Sequence, residues 1–512
     1  MCPNDANGKN PIGIVISTLE SPTTDSFSFV LTTETVRRGQ FVQTETDDGL
    51  LIGFITDITR ANRYFERAES VAEYERLGAM SQFPTMEWEY TVADVKALGV
   101  YTLLSDGRAI FARAKFPASP GAKVYSVDES ILKDFIGLDE RGLNIGKLEN
   151  HNVEVRLSMS RLLQKHLAIL AMSGAGKSHL ASVIIEELLE RRKEHGRLAI
   201  IVIDVHGEYG GFRQGQYAKS TTVIDGKEIK IALSKLSPSS LFDFMPNISG
   251  TAMRDLSSIL SEMKKEAKDS GNFFGLPDLI ERIKMSDMKE STKGALLSWL
   301  DALKSLRLIG KVEHPSLQEL AKPGHLTILD LSDIDNMKKK QLIVAHIAKK
   351  LFKARKKEKV PPFLLLIEES HNFAPEKVAK EHGISKGIIE TIAREGRKFG
   401  ASLCLVSQRP VKLSTTALSQ CNTAIILRVT NPYDLKHIGE SCEGIDQRMQ
   451  AAITTLYVGE ALIVGEATNH PIFVRVRDRK SKKSSKGQPL EEIAKRWEEA
   501  EDKKKDDVEA FL

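Results

Sequence analysis

The sequence predicts an α/β protein, in which a core built on a parallel β-sheet follows a small N-terminal β-barrel and carries a helical insertion. From about residue 151, continuous apolar runs such as "RLAIIVIDV", "PPFLLLIEES" and "ASLCLVSQ" alternate with amphipathic helical segments. Strands that are apolar throughout are typical of a parallel sheet covered on both faces. The earlier residues instead hold short β-branched and aromatic runs between Gly, Asp and Thr clusters, which favours a small barrel or sandwich.

This change of pattern sets the expected domain boundaries. We expect an N-terminal β-barrel over 11–150, interrupted by one polar helical excursion, and a core over 151–480. A polar helical insertion interrupts the core at about 240–322. Residues 481–512 form a charged tail. The stretch "RKSKKSSKG" (479–487), where this tail begins, is typical of a flexible linker, and the last stretch is typical of a terminal helix. That helix either braces a neighbouring subunit or is simply solvated.

Composition excludes several classes of protein. The net charge is only +4 and 41% of the residues are hydrophobic, so a nucleic-acid-binding surface would have to be local. Cys2, Cys404, Cys421 and Cys442 form no CxxC pair, which argues against zinc and thiol-redox sites and fits a reducing compartment. The polar start lacks the apolar region of a signal peptide, and no apolar run could span a bilayer. We therefore expect a cytoplasmic protein.

The stretch "ILAMSGAGKSHL" at 169–180 has the features of a phosphate-binding loop. An apolar strand, a glycine-containing turn and a helix follow one another, so that backbone N–H groups can surround phosphates at the helix N-terminus. Lys177 would reach the β- and γ-phosphates, and Ser178 would hold Mg²⁺. Ala171 stands where the usual pattern has glycine, which costs little if its φ is negative. The alternative is a chance glycine turn. The predicted ATP-binding residues here are Ser173, Gly174, Ala175, Gly176, Lys177, Ser178 and His179.

A second strand ends in two acidic residues, as a phosphate-binding loop requires. In "PPFLLLIEESHNF", Glu368 would join the Mg²⁺ shell and Glu369 would orient and activate the attacking water. The alternative is a pair of solvated carboxylates at a strand end.

Other strands also end in polar residues. "IIVIDVHGEY" places Asp204, His206 and Glu208 where ligands bind in open α/β sheets, and the alternative is a capped strand–turn. "CLVSQRP" places Gln408 where it could sense the γ-phosphate or its water.

The helical stretch "ETIAREGRKFGA" carries Arg394, Arg397 and Lys398. Either arginine could act as a finger that stabilises transition-state charge at a neighbour's ATP. The alternative for each is an ordinary solvated basic face.

These motifs occur in the order found in one known family. "ILAMSGAGKS", "DVHGEY", "LIEESHNF", "AREGRKFG", "SQRP", "LRVTNPYD" and "GEALIVG" resemble HerA, the hexameric DNA translocase of the HerA–FtsK group. The early "IGIVIS" and "GLLIGFITDI" resemble that family's N-terminal barrel. The resemblance implies a RecA-like P-loop ATPase core. It also implies that Ala171 and the Glu368–Glu369 pair are ordinary variants, because members of the family commonly have alanine and two glutamates at these positions.

The resemblance also implies an assembly and partners. Family members form six-subunit rings with ATP between subunits, so Arg394 or Arg397 would act in trans. Lys165, just before the first core strand, would contact phosphate, and Pro471 and Ile472 would pack against the adenine. In archaea HerA works with the nuclease NurA in processing DNA ends, which implies a NurA-like nuclease docked on the barrel.

Two functions of different kinds remain open. The first is a motor that uses ATP and Mg²⁺ to move double-stranded DNA through a homo-hexameric ring, gripping phosphates through loops such as 210–220 and 263–271. The alternative for both loops, an ordinary solvated surface, is the one that the residues favour. The second is an ATP-dependent scaffold or switch that recruits an effector enzyme without moving DNA.

Overall fold

The structure, a computed structural model, describes residues 10–17, 22–62, 65, 68–76, 89–104, 109–242, 248–377, 383–484 and 490–509. The chain forms two compact units. The first comprises Met1–Gly142, Gly146–Arg156 and Thr468–Arg475, and the second Leu143–Ile145, Leu157–Ala467 and Val476–Leu512. Within the described ranges, no helix is long and apolar enough to cross a membrane. The extreme N-terminus, for which the sequence predicts no signal peptide, lies outside them up to residue 9.

The first unit contains a closed antiparallel β-barrel. Its strands are β1 (Gly13–Ile16), β2 (Ser26–Leu31), β3 (Phe41–Thr46), β4 (Gly49–Asn62), β5 (Glu89–Leu103), β6 (Ala109–Ala112) and β7 (Lys123–Ser126). They follow the order β2-β1-β7-β3-β4-β5-β6, and a further pairing of β2 with β5 closes six of them into a ring that leaves β6 attached to β5. The barrel is thereby confirmed over the sandwich. Closure removes the free edges of those six strands.

Glycine allows the long strands of the barrel to bend. The register of β4 against β5 shifts between Ile52 and Gly53 and again between Ile55 and Asp57. Such bulges increase local twist and curvature. A Cβ on Gly53 would lie 2.3 Å from Val95 Cγ1, so the close approach of the two strands requires glycine.

Two helices accompany the barrel strands. They are α1 (Ala68–Arg76) and α2 (Glu129–Ile136). Helix α1 lies within the predicted polar excursion, whose residues 63, 64, 66, 67 and 77–80 lie outside the described part of the chain.

The second unit is built on a mostly parallel sheet. The strands that follow β7 along the chain, in either unit, are β8 (Leu143–Leu148), β9 (Glu154–Leu157), β10 (Leu167–Leu170), β11 (Ala199–Asp204), β12 (Thr221–Asp225), β13 (Ile231–Ala232), β14 (Ile309–Gly310), β15 (His325–Asp330), β16 (Phe363–Ile367), β17 (Ala401–Ser407), β18 (Thr423–Ile426), β19 (Glu460–Gly465) and β20 (Ile472–Val476). Strands β8, β9 and β20 lie partly in the first unit. The sheet of this unit runs β12-β15-β11-β16-β17-β10-β18-β19, with only β19 antiparallel to its neighbour. Every residue of β10, β11, β16 and β17 is buried, as expected when both faces are covered.

The helices of the second unit connect these strands. They are α3 (Met159–Leu163), α4 (Lys177–Glu190), α5 (Pro238–Phe242), α6 (Gly250–Ser270), α7 (Leu276–Lys284), α8 (Glu290–Ser305), α9 (Leu317–Leu320), α10 (Met337–Lys356), α11 (Lys386–Glu395), α12 (Thr415–Leu418), α13 (Pro432–Ser441), α14 (Gln447–Thr455) and α15 (Leu490–Glu509). Helices α6, α7 and α8 pack together around buried Leu256, Leu279 and Leu300 and form the helical insertion.

Two local predictions are wrong. Residues 263–271, predicted as a loop, continue α6 up to Ser270, and Gly271 ends the helix in the left-handed conformation. The start of the predicted flexible linker is anchored, because buried Glu186 of α4 accepts hydrogen bonds from Lys480 N, Ser481 N and Ser481 Oγ. Linker residues from 485 on lie outside the described part.

Parallel strands bring several loops to one edge of the sheet. Leu170 at the end of β10 pairs with Ser407 at the end of β17, and Ile367 at the end of β16 pairs with Ile203 of β11. The loops that follow these four strands therefore meet at the carboxyl edge, where open α/β sheets bind ligands.

Candidate functional site

The loop between β10 and α4 has the backbone conformation of a phosphate cradle. Gly174 and Gly176 have φ values of 77° and 104°, a region that favours glycine, and Gly176 is the N-cap of α4. Ala171 is not among the five described non-glycine residues with positive φ. Its N–H donates to Ser407 O at 3.2 Å. A methyl group at this position is therefore accommodated without backbone strain.

Lys177 lies at the start of α4 and contacts the acidic strand end. Its Nζ is 3.1 Å from Glu369 Oε1, and both side chains are almost fully buried. Burial lowers the pKa of Lys177, but the negative charges of Glu369 and Glu368 outweigh it, so the net pKa is raised and the amine is charged. A phosphate that entered the loop would compete with Glu369 for this ammonium group.

Glu369 is held in an unusual conformation. Its φ and ψ are 47° and 45°, a left-handed conformation that costs a non-glycine residue about 1–3 kcal/mol. Its Oε2 lies 3.3 Å from His371 Nδ1, which also contacts Ser407 Oγ at 3.1 Å. Burial lowers the pKa of His371 despite the neighbouring carboxylate, so the imidazole is neutral at pH 7. Sequence reasoning missed His371, although it stands two residues after Glu369.

Glu368 lies in a cluster of carboxyl groups. It is completely buried, and its Oε2 accepts a hydrogen bond from Val205 N at 3.2 Å. Its Oε1 is buried without a hydrogen-bond partner. Burial and the charges of Asp204 and Glu208 raise the pKa of Glu368 well above its usual value. A cation beside this carboxyl group would favour its ionised form.

Asp204 and Glu208 have different roles in this cluster. Asp204 Oδ1 accepts from the backbone N–H groups of Gly207 and Glu208 at 2.7 and 3.1 Å, and Oδ2 from that of Tyr209 at 3.0 Å. Asp204 thus holds the turn after β11, as the capped strand–turn alternative predicts. Glu208 instead accepts a hydrogen bond from Ser178 Oγ. His206 is exposed to solvent.

The remaining loop residues divide into exposed and engaged side chains. Ser173 and Gly174 are exposed, whereas Ala175 is buried. The ring of His179 bonds to Arg477 O through Nε2 at 2.9 Å. This places the His179 side chain in the packing of α4, so any nucleotide contact would come from its backbone.

Two further polar residues follow strands at the same edge. Gln408 comes directly after β17 and is partly exposed. Arg428 follows β18, and its carbonyl accepts a hydrogen bond from Met172 N of the loop at 2.9 Å. Arg428 Nε is buried without a hydrogen-bond partner. Sequence reasoning quoted the stretch "LRVTNPYD" but assigned no role to this arginine.

The other predicted basic residues lie at the opposite, amino edge of the sheet. Arg394 and Arg397 are exposed at the end of α11 and just after it, immediately before β17 begins. Lys165 precedes β10 and forms an ion pair with Glu466. At about 3.3 Å per residue, the extended backbone from Lys165 to Ala171 spans up to about 20 Å. Lys165 therefore does not contact phosphates in the loop of its own chain.

The two predicted adenine contacts belong to the first unit. Ile472 is fully buried in β20 and has no exposed surface to offer a base. The burial of this side chain gives no support to the adenine contact, which stays a prediction. Pro471 is partly exposed.

Comparison with known proteins agrees with this arrangement. The family described as "Helicase HerA, central domain" matches residues 143–351. The "DNA double-strand break repair helicase HerA" of Pyrococcus furiosus is 30% identical over 518 residues, covering 88% of this chain and 89% of the relative. The protein of the same name from Saccharolobus solfataricus is 28% identical, covering 90% and 92%.

A solved structure shows the same fold. VirB4 of Thermoanaerobacter pseudethanolicus superposes with a TM-score of 0.52 at 16% identity, covering 67% of this chain and 98% of that one. The core is thus a RecA-like P-loop ATPase fold. With the near-complete coverage of the Pyrococcus relative, this fold and the loop at Lys177 place the chain in the HerA helicase family.

Proposed function

We propose that this protein is an ATP-driven translocase of double-stranded DNA that works as a homo-hexameric ring, in which each nucleotide site is completed by the neighbouring subunit. One observation supports the proposal of a ring. Lys177 and Glu369 lie at the carboxyl edge of the sheet, whereas exposed Arg394 and Arg397 lie at the amino edge. An arginine at the amino edge cannot reach the site of its own chain, but it is free to reach that of another.

The residues at the carboxyl edge supply the chemistry of ATP hydrolysis. Lys177 and the N-terminus of α4 hold the phosphates. Glu369 orients and deprotonates the attacking water, since its carboxylate is fixed 3.1 Å from Lys177 and exchanges that contact for water when phosphate arrives. Gln408, beside it in the sheet, senses the γ-phosphate. Arg394 or Arg397 of the next subunit stabilises the charge of the transition state.

The donor set fits Mg²⁺. This ion is usually bound through one or two carboxylates together with substrate phosphates and water rather than by an all-protein cage. Ser178 and Glu368 are the residues that would hold it, and Glu368 Oε1, which has no hydrogen-bond partner, offers an oxygen ligand. The ion would neutralise phosphate charge during the transfer.

DNA as substrate is supported by the relatives, which are named as helicases of double-strand break repair. We extend this to DNA end resection together with a NurA-like nuclease. Exposed apolar side chains on and near β5 and β6 support such a partner, because Leu103, Ile110, Phe111 and Phe116 are 41–61% exposed. Large exposed apolar side chains are available to pack against a protein partner.

The decisive experiment measures ATP turnover with and without long duplex DNA, together with the displacement of a protein roadblock bound to that DNA. We expect duplex DNA to stimulate turnover and the roadblock to be removed only while ATP is hydrolysed. The Glu369→Gln protein is the matched control for binding without hydrolysis. A turnover rate indifferent to DNA, with the roadblock left in place, would contradict a motor and favour a scaffold that recruits an effector.

A further inference from the structure

A cavity of about 550 Å³ opens beside the C-terminal half of α10, between that helix and residues 235–237 and 313–318. None of the residues lining it belongs to the candidate ATP site. Arg355 of α10 donates to Phe399 O, just before β17, so this end of the helix lies at the amino edge of the sheet. The volume lies within the range of about 300–1,000 Å³ found for small-molecule sites.

The cavity is strongly basic. Helix α10 carries eight Lys and Arg residues and no acidic residue. The cavity is lined by six lysines, namely Lys235, Lys349, Lys350, Lys353, Lys357 and Lys359. Among the described residues that line the cavity, Glu313 is the one acidic residue. This local excess of positive charge occurs in a chain whose net charge is only +4.

Glu313 is already neutralised by groups inside the cavity. Its carboxylate oxygens lie 2.6 Å from Lys350 Nζ, 3.0 Å from His346 Nε2 and 3.3 Å from Lys235 Nζ. Burial alone raises the pKa of Glu313, but these partners lower it to about 2, so the carboxylate is ionised at any physiological pH. The charge of Glu313 is therefore already balanced by its partners in the wall of the cavity. The lysines at the rim, Lys353, Lys357 and Lys359, are exposed and face a ligand.

Apolar side chains complete the wall. Leu236, Leu317, Leu342 and Ile384 line the same cavity as the lysines. A ligand that fits must therefore combine a compact, highly charged anionic group with an apolar or planar body. Phosphate groups concentrate negative charge and hydrogen-bond acceptors in a small volume, whereas the carboxylates of an acidic peptide are spread along a chain. Interfaces with duplex DNA are larger, more polar and more positively charged, so an apolar wall in a small cavity contributes little to them.

We propose that this cavity is a second nucleotide site, which binds a nucleoside di- or triphosphate with its phosphates at the rim lysines and its base against the apolar wall. Occupancy of this site is independent of the loop at Lys177. Because the cavity borders both α10 and the segments 235–237 and 313–318, which flank α6–α8 in the chain, a nucleotide bound there links α10 to those segments.

The test uses the full chain carrying Lys177→Ala, which removes the main phosphate contact of the first site, and ADP as the probe in isothermal titration calorimetry. We expect this protein still to bind ADP. Adding Lys353→Gln and Lys357→Gln should weaken the binding at least tenfold, by about 1.4 kcal/mol or more. Lys356→Gln is the matched control on the same helix turn, because Lys356 contacts Glu395 at 2.6 Å and does not line the cavity. It should change the affinity less than twofold.

Two results would overturn the proposal. One is the absence of ADP binding to the Lys177→Ala protein, provided that its melting curve shows a folded chain. The other is ADP binding that is unaffected by the rim substitutions. If these substitutions instead weaken binding of a short DNA duplex and leave ADP binding unchanged, the cavity binds DNA phosphates and the nucleotide assignment is wrong. Failure of DNA-stimulated turnover in the unsubstituted protein would not bear on any of these outcomes.

Discussion

At the scale of single residues, the Lys177–Glu369 ion pair decides how the site responds to substitution. Lys177→Ala removes the ammonium group that would hold the phosphates and leaves Glu369 buried without its partner. We expect ATP turnover to fall by at least about 100-fold, as for the loss of a preorganised electrostatic contact. Breaking a buried pair also costs about 3–5 kcal/mol, so the melting temperature should fall.

The measurement is steady-state ATP hydrolysis combined with thermal unfolding. Lys495→Ala, a change at an exposed lysine of α15, is the control and should leave both quantities unchanged. Persistent hydrolysis by the Lys177→Ala protein would show that the phosphates bind elsewhere.

Glu369→Gln tests the role of the carboxylate separately from binding. The amide keeps the size of the side chain but cannot accept a proton, so turnover should fall by about 10²- to 10⁴-fold, the usual contribution of a general base. ATP affinity should remain or improve, because Lys177 loses its competing anion. Single-turnover hydrolysis and binding of a fluorescent ATP analogue measure the two effects. A variant that retains more than a tenth of the wild-type turnover would exclude Glu369 as the base.

At the scale of elements, Glu186 joins the segment after β20 to α4. Besides Lys480 and Ser481, Arg477 Nη1 donates to it at 2.9 Å. Glu186→Ala leaves these donors without their acceptor at a buried site, which should cost about 3 kcal/mol and lower the melting temperature by several degrees. Glu194→Ala is the control, since Glu194 is exposed and pairs only at the surface.

The same interaction depends on pH in a definite direction. Burial raises the pKa of Glu186, but the hydrogen bonds from Ser481, Lys480 and Arg477 outweigh it, so the folded-state pKa is lowered from 4.5. A lowered folded-state pKa means that the stabilisation is present above the unfolded-state pKa and is lost as pH falls through the folded-state value. The difference in melting temperature between wild type and Glu186→Ala should therefore be largest near pH 7 and shrink below about pH 4. An unchanged difference at low pH would mean that the carboxylate charge contributes nothing.

At the scale of the whole molecule, the separation of the two sheet edges makes the ring testable by mixing. Glu369→Gln subunits retain their arginines, and Arg394→Ala or Arg397→Ala subunits retain their carboxylate. In a mixed ring some sites combine an intact Glu369 with an intact neighbouring arginine, so part of the ATP turnover should return. Turnover measured across mixing ratios reports this, with Lys398→Ala as a control for the loss of a nearby charge. No recovery in any mixture would refute the proposed assignment in trans.

Much of the fold and of the candidate site could be predicted from residues that lie close together in the sequence. The strand, glycine turn and helix around Lys177, and the apolar strand that ends in Glu368 and Glu369, depend on neighbours a few residues apart, so their pattern is visible in the sequence. The parallel sheet follows from strand periodicity in the same way, whereas the choice of barrel over sandwich depends on the long-range pairing of β2 with β5. The domain boundaries at 150 and 480 stay predictions. The two compact units of the structure divide the chain partly at other residues.

Tertiary structure decided which side chains face one another, because contacts between residues far apart in the chain leave no local pattern. The sequence grouped Asp204 with Glu208. In the structure the carboxylate of Asp204 accepts hydrogen bonds from the backbone of the turn, whereas Glu208 contacts Ser178. It could not show that Ile472 is buried, that Glu186 anchors the segment after β20, or that a lysine-lined cavity surrounds Glu313. Nor could the sequence show that Arg394 and Arg397 lie at the opposite edge of the sheet from Lys177, since their separation is set by the parallel packing of the strands between them.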